Sequence, residues 1–211
     1  MKIAILGATG FVGRAVLQQA MDEGYEVNIL VRNPAKLTTT SDKVNIIQGS
    51  LEDAEKVAET LAGCCAVVNA AGGVKGSDQY EAFLNITKIL VDATKLTGVK
   101  KLISINGSGT ILPNEYVGFK RRFLSSIVGI FLKHMKDAKK AELQILLNEK
   151  DIDWVSVRAN LILKKPATGQ VIADDQKMPG GKITLPDLAK FMLDQVQSDE
   201  WVHKAPFVAT A

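Results

Sequence analysis

The stretch that most constrains this chain is Lys2 to Gly13. Lys2-Ile3-Ala4-Ile5-Leu6 is a short, branched apolar run with the length of a buried strand, and Gly7-Ala8-Thr9-Gly10-Phe11-Val12-Gly13 follows at once. From Gly13 onward Ala15, Val16, Leu17, Ala20 and Met21 recur at helical spacing. A strand, a glycine turn and a helix N-terminus therefore meet. In such a junction Gly7 allows the tight turn, Gly10 lets backbone approach a ligand without a Cβ, and Gly13 lets the helix pack close to the sheet. The first N–H groups of the helix and the positive end of its dipole then face an anion, which suits a dinucleotide pyrophosphate. The spacing is GxxGxxG, and its position one residue past an opening strand carries more weight than the glycines themselves.

The next elements test that reading. Tyr25 to Val31 forms a second strand, closed by Arg32-Asn33-Pro34-Ala35-Lys36. NAD sites place an acidic residue about twenty positions past the glycines, on the ribose 2′-hydroxyl. Here Arg32 stands there. A carboxylate repels a 2′-phosphate, whereas a guanidinium binds it through paired, charge-assisted hydrogen bonds, so NADP(H) is expected over NAD(H). Lys36 and Arg14 are further cations for that phosphate.

The rest of the chain alternates strand and helix. Val44 to Gln48 reads as a third strand, Ala54 to Leu61 as a helix, and Ala66 to Gly73 as a fourth strand running into small residues. A helix from about Asp78 to Thr97 stops at Gly98, and Lys101 to Asn106 forms the fifth strand. A helix from about Asp137 to Asn148 precedes a sixth strand, Asp153 to Arg158. A charged, glycine-containing passage from Lys164 to Gly181 leads to a helix near Leu185 to Val196 and a last strand at 206–209. This pattern predicts an α/β fold: a single Rossmann-like, doubly wound, mostly parallel sheet with helices on both faces. With 211 residues, 46% of them hydrophobic, one domain is expected, with residues 159–211 as its smaller, substrate-side part. Ligands of such sheets lie beyond the carboxyl ends of the strands. Thr9, Phe11, Val12, Ser50, Leu51, Ala70, Ala71, Gly72 and Asn106 thus join Gly7, Gly10, Gly13, Arg32 and Lys36 as expected cofactor contacts. Ser104, Asn106 and Ser108 are the hydroxyl and amide groups expected nearest a substrate.

Charge narrows the classes further. The balance of 26 basic and 23 acidic residues argues against a nucleic-acid protein. Cys64 and Cys65 are adjacent, so they make neither a disulfide framework nor a spaced metal site, and read as small buried thiols. Without a leader-like segment or an apolar run of membrane-spanning length, a cytoplasmic setting is expected. Residues 120–140 stand apart: the apolar Phe123 to Leu132 is bounded by Lys120-Arg121-Arg122 and Lys133-His134-Met135-Lys136. Three readings remain for it: a core helix or lid over the pocket, a surface for an apolar substrate or partner, or membrane contact.

GATGFVGR, LVRNPAKL, IIQGSLED, VVNAAGG, IDWVSVR and the late APFV together resemble the atypical short-chain dehydrogenases. Within these the chain is similar to the small NAD(P)H-binding proteins around biliverdin/flavin reductase B and the NADH-flavin reductases. The resemblance covers nearly the whole chain. It implies an NADPH-dependent reductase acting on a small-molecule acceptor, flat and conjugated, such as a flavin or quinone, in a monomer or homodimer. A non-catalytic NADP(H)-binding redox sensor or assembly factor is the alternative, with a nucleotide-sugar epimerase third.

The wider family's catalysts use Ser, Tyr and Lys, the last two four residues apart. Tyr116 and Lys120 have that spacing, with Ser104 twelve residues before. Aligned instead through Ala141-Glu142, the tyrosine position falls on His134, a proton donor suited to neutral pH, and the lysine position on Ala138. The family commonly has proline where this chain has Ala159.

Overall fold

The computed structural model describes residues 1–37, 41–72, 79–110 and 133–211. Strand β1 (Lys2–Leu6) lies at the centre, between β2 (Glu26–Val31) and β4 (Ala66–Asn69), parallel to both. Ile3, Ala4, Ile5 and Leu6 are fully buried because helices cover both faces, which is why this strand is continuously apolar. Alternate residues point to opposite sides. Ile3 and Ile5 pack with helices α1 (Phe11–Asp22) and α5 (Leu185–Asp194). Ala4 and Leu6 pack with α2 (Ala54–Leu61), α3 (Gln79–Thr97) and α4 (Lys133–Asn148).

Beyond these lie β3 (Val44–Gln48), β5 (Lys101–Gly107) and β6 (Asp153–Ala159), then β10 (Phe207–Thr210) and β8 (Val171–Asp174). The order is β3-β2-β1-β4-β5-β6-β10-β8, parallel except for β8, which runs antiparallel to β10. Strand order reverses between β1 and β4, and a crevice opens there at the carboxyl ends. The Rossmann-like architecture is as expected. Short strands β7 (Leu161–Leu163) and β9 (Lys182–Thr184) form a separate parallel pair.

Three local expectations need correction. The passage from Lys164 to Gly181 is not a plain connection, since it contains β8. That strand has four partly exposed residues at a sheet edge, and its apolar run, Val171-Ile172-Ala173, is only three residues long. Helix α4 begins at Lys133, four residues before the expected start, so Lys133 to Lys136 are its first turn. Cys65 is exposed, and only Cys64 is buried.

Candidate functional site

The glycine turn is built by contacts that no larger residue allows. Gly7 has φ +78°, and a Cβ on it would lie 2.6 Å from the Ala71 nitrogen. A Cβ on Gly13 would lie 2.0 Å from the Gly7 carbonyl oxygen. The Gly10 N–H donates to that same oxygen at 2.8 Å and closes the turn. These contacts draw the start of α1, the end of β1 and the end of β4 together. Gly10 is the N-cap residue of α1, with no side-chain cap and no acidic residue in the first turn. The first amides of the helix are thus left for an outside acceptor, on the positive end of its dipole.

Two spaces open from this turn. The first runs over the tips of β1 to β4. There Gly7, Thr9 and Gly10 meet Arg32, then Ser50 and Leu51, then Ala70, Ala71 and Gly72. Arg32 is exposed and forms no ion pair among the described residues. Asn33 shapes the chain after it, its side-chain oxygen accepting from the Ala35 N–H at 3.0 Å. Arg14 donates to the Lys36 carbonyl at 3.3 Å and ties α1 to that turn. Lys36 itself is not in the lining. Glu52, which sequence reasoning missed, lines the same space as Arg32.

The second space, about 500 Å³, lies between Gly10, Phe11 and Val12 on one side and Asn106 to Thr110 on the other. Asn106 is buried and fastens its wall. Its oxygen accepts from Gly107 N–H and the Thr110 hydroxyl, both at 2.8 Å, and its amide donates to the Lys139 carbonyl at 3.2 Å. Ser108 also lines this space. Ser104 does not. It is fully buried two residues earlier on β5, with its hydroxyl 3.4 Å from that of Ser156. A strand side chain this deep in the sheet offers nothing to a ligand beyond the strand ends, which corrects the expectation that Ser104 contacts a substrate. Gly73, Tyr116, Lys120 and the 123–132 segment fall outside the described residues, as does the side chain of His134 in the first turn of α4.

Lys139 was also missed. It is a buried cation in the wall of the second space, 2.6 Å from the buried carboxylate of Glu142 and 4.7 Å from the centre of the Phe83 ring. The available signal was the Lys139/Glu142 spacing, which places both on one helix face.

Arg158 was read only as part of a strand, yet it braces the same wall. Fully buried, it donates to the carbonyls of Ala205 at 2.6 Å, Thr110 at 3.2 Å and Asp175 at 3.2 Å, and lies 3.5 Å from the Phe207 ring centre. One guanidinium therefore ties together three separate segments, of which Thr110 lines the cavity. Burial pushes the Cys64 thiol up to about 11, so it carries no nucleophilic thiolate at neutral pH. Among the described residues no cluster of His, Cys, Asp or Glu is arranged to hold a metal ion, and no helix is long and apolar enough to cross a membrane.

Comparison with known proteins agrees with this geometry. The photosystem II assembly factor Ycf39 of Guillardia theta is 34% identical over 107 residues, which is 49% of this chain and 34% of that protein. The chain spans between a third and about half of the length of the first curated relatives it matches. Among solved structures, the anaerobilin reductase ChuY of Escherichia coli O157:H7 superposes with a TM-score of 0.82 at 18% identity, over 100% of this chain and 97% of that one. A provisionally assigned NADH-flavin reductase of Streptococcus pneumoniae does so with 0.80 at 21% identity, over 100% of both chains. At these identities the likeness shows the fold. The model of the NAD(P)H-binding family matches residues 7–199, from the first glycine of the turn past the end of α5. The chain thus belongs to the NAD(P)H-binding family, with a Rossmann-like fold.

Proposed function

We propose that this protein is an NADPH-dependent oxidoreductase that reduces a flat, conjugated small molecule such as a flavin or quinone. The observation that carries this reading is the second cavity, which opens directly from the glycine turn and is large enough for a nicotinamide ring and part of an acceptor. The residues fit a dinucleotide: the turn has the close backbone approaches and uncapped helix start that a pyrophosphate needs. Adenosine would lie along Ser50 and Leu51, its 2′-phosphate against Arg32, and nicotinamide between Gly72 and Asn106.

The bound nucleotide supplies a hydride from its nicotinamide ring. The chain's own residues orient and shield. Phe11, Val12 and Ile105 give the cavity an apolar lining, Asn106 and Arg158 hold its loop in place, and the Lys139–Glu142 ion pair anchors its wall. Stopped-flow oxidation of NADPH with FMN, quinones and bilins tests the proposal. We expect acceptor-dependent turnover with at least one; none with any of them would refute it.

A second reading, a non-catalytic NADP(H)-binding sensor or assembly factor, is favoured by the likeness to Ycf39 over half of the chain. Pull-down and liposome flotation with and without NADPH separate the two. A sensor associates with a partner or membrane in a cofactor-dependent way.

A further inference from the structure

We propose that Lys164 closes the outer side of the phosphate cradle and is a direct ligand of the cofactor's pyrophosphate. This rests on the cofactor placement above but not on any acceptor chemistry. Lys164 follows β7, far along the chain from the glycine turn, and its ammonium lies over the Phe11 ring, 5.4 Å from the centre. Lys164, Thr9, Gly10, Phe11, Arg14 and Leu185 line one open space beside the first turns of α1.

That space is placed where the two halves of a dinucleotide must join. It shares Thr9 and Gly10 with the cleft beside Arg32, and Gly10 and Phe11 with the cavity beside Asn106. Gly10 lines all three. A molecule occupying both main spaces passes its bridging phosphates over Gly10, with the main-chain amides on one side and Lys164 on the other.

The electrostatics agree. Among the described residues Lys164 meets no carboxylate and has the ring of Phe11. An exposed cation–π contact is weak, and a charge-assisted hydrogen bond to phosphate is stronger. The ammonium therefore exchanges the ring for the phosphate when an anion arrives. Arg14 lines the same space, with its guanidinium engaged on the Lys36 carbonyl. Of the two cations lining that space, Lys164 is thus the one with no hydrogen-bonded partner among the described residues.

The test is titration of NADH and NADPH by nucleotide fluorescence in the wild type, Lys164→Ala and Lys164→Arg, at low and high salt. Lys164 is exposed, so both variants should keep the wild-type melting temperature. We expect Lys164→Ala to raise Kd for both nucleotides by the same factor, on the order of tenfold at low salt and less at high salt. Lys164→Arg should recover most of the affinity. Unchanged Kd for both nucleotides would overturn the proposal, and so would a loss confined to NADPH, which places Lys164 at the 2′-phosphate. Binding of neither nucleotide by the wild type would instead overturn the cofactor placement on which it rests.

Discussion

Two alanine substitutions in the glycine turn should separate folding from binding. In Gly13→Ala, the new Cβ would lie 2.0 Å from the Gly7 carbonyl oxygen, with Gly7 carbon at 2.6 Å and Ala8 Cα at 3.0 Å. All are backbone atoms, so relief requires moving α1 or the turn by more than 1 Å, roughly the difference from an ordinary contact. Exchanging glycine for alanine inside a helix gains about 1 kcal/mol. Overpacking in a buried site costs about 1–3 kcal/mol, and here the obstacle is rigid, so the upper end applies. The net loss is about 2 kcal/mol, a drop of about 4–8 °C in Tm for a chain of this size. In Gly10→Ala the Cβ meets only the Gly7 oxygen, at 3.1 Å, and φ −79° suits any residue. Its stability should change by less than about 1 kcal/mol. The added methyl group nevertheless stands at the meeting point of the three spaces, so NADPH affinity should fall at least about tenfold. Differential scanning fluorimetry and NADPH titration measure the two effects. A Gly13→Ala protein as stable as wild type, or a Gly10→Ala protein with full affinity, would refute the reasoning.

Other substitutions test other parts of the site. Arg32→Glu should reverse the cofactor preference; equal loss of NADH and NADPH affinity would show that Arg32 does not meet the 2′-phosphate. Lys139→Met should leave Glu142 as an unpaired buried carboxylate and cost about 3 kcal/mol or more in urea denaturation at pH 7; a variant as stable as wild type would show that this pair does not hold the cavity wall. Asp187, buried at the start of α5, accepts from Thr168 N–H at 3.0 Å, Gly169 N–H at 3.0 Å and the hydroxyls of Thr168 at 2.9 Å and Thr184 at 2.7 Å. Burial pushes its carboxyl up, but these bonds together outweigh it and hold the carboxyl below the ordinary value. Its stabilising contribution is therefore fully present above the unfolded carboxyl range and is lost as pH falls through the lower folded value. Asp187→Asn should cost about 3 kcal/mol at pH 7 in urea denaturation, and less below about pH 4. A pH-independent difference would refute this account.

The central sheet was legible because its information is local. β1 and α2 begin and end where the apolar pattern places them, since a buried strand must be apolar over its length and a capped helix carries its own start signal. Arg32 could be singled out for the same reason: its candidacy depends on a fixed distance along a single β-α-β unit, and it lines the cleft beside the glycine turn. The edge strand β8 was not legible, because it is partly exposed and its apolar run is only three residues long.

What the sequence by itself determined is the parallel α/β architecture and the glycine turn, with a cation just past the end of β2. The tertiary structure alone decided which distant groups surround that turn. It buried Ser104 in the sheet, set Lys139 in the cavity wall, and let Arg158 hold Thr110, Asp175 and Ala205 together. It also brought Lys164 over Phe11. The physical reason is that local patterning records whether a side chain faces core or solvent. The partner of a charged group, by contrast, is selected by the sheet that folds remote segments against one another.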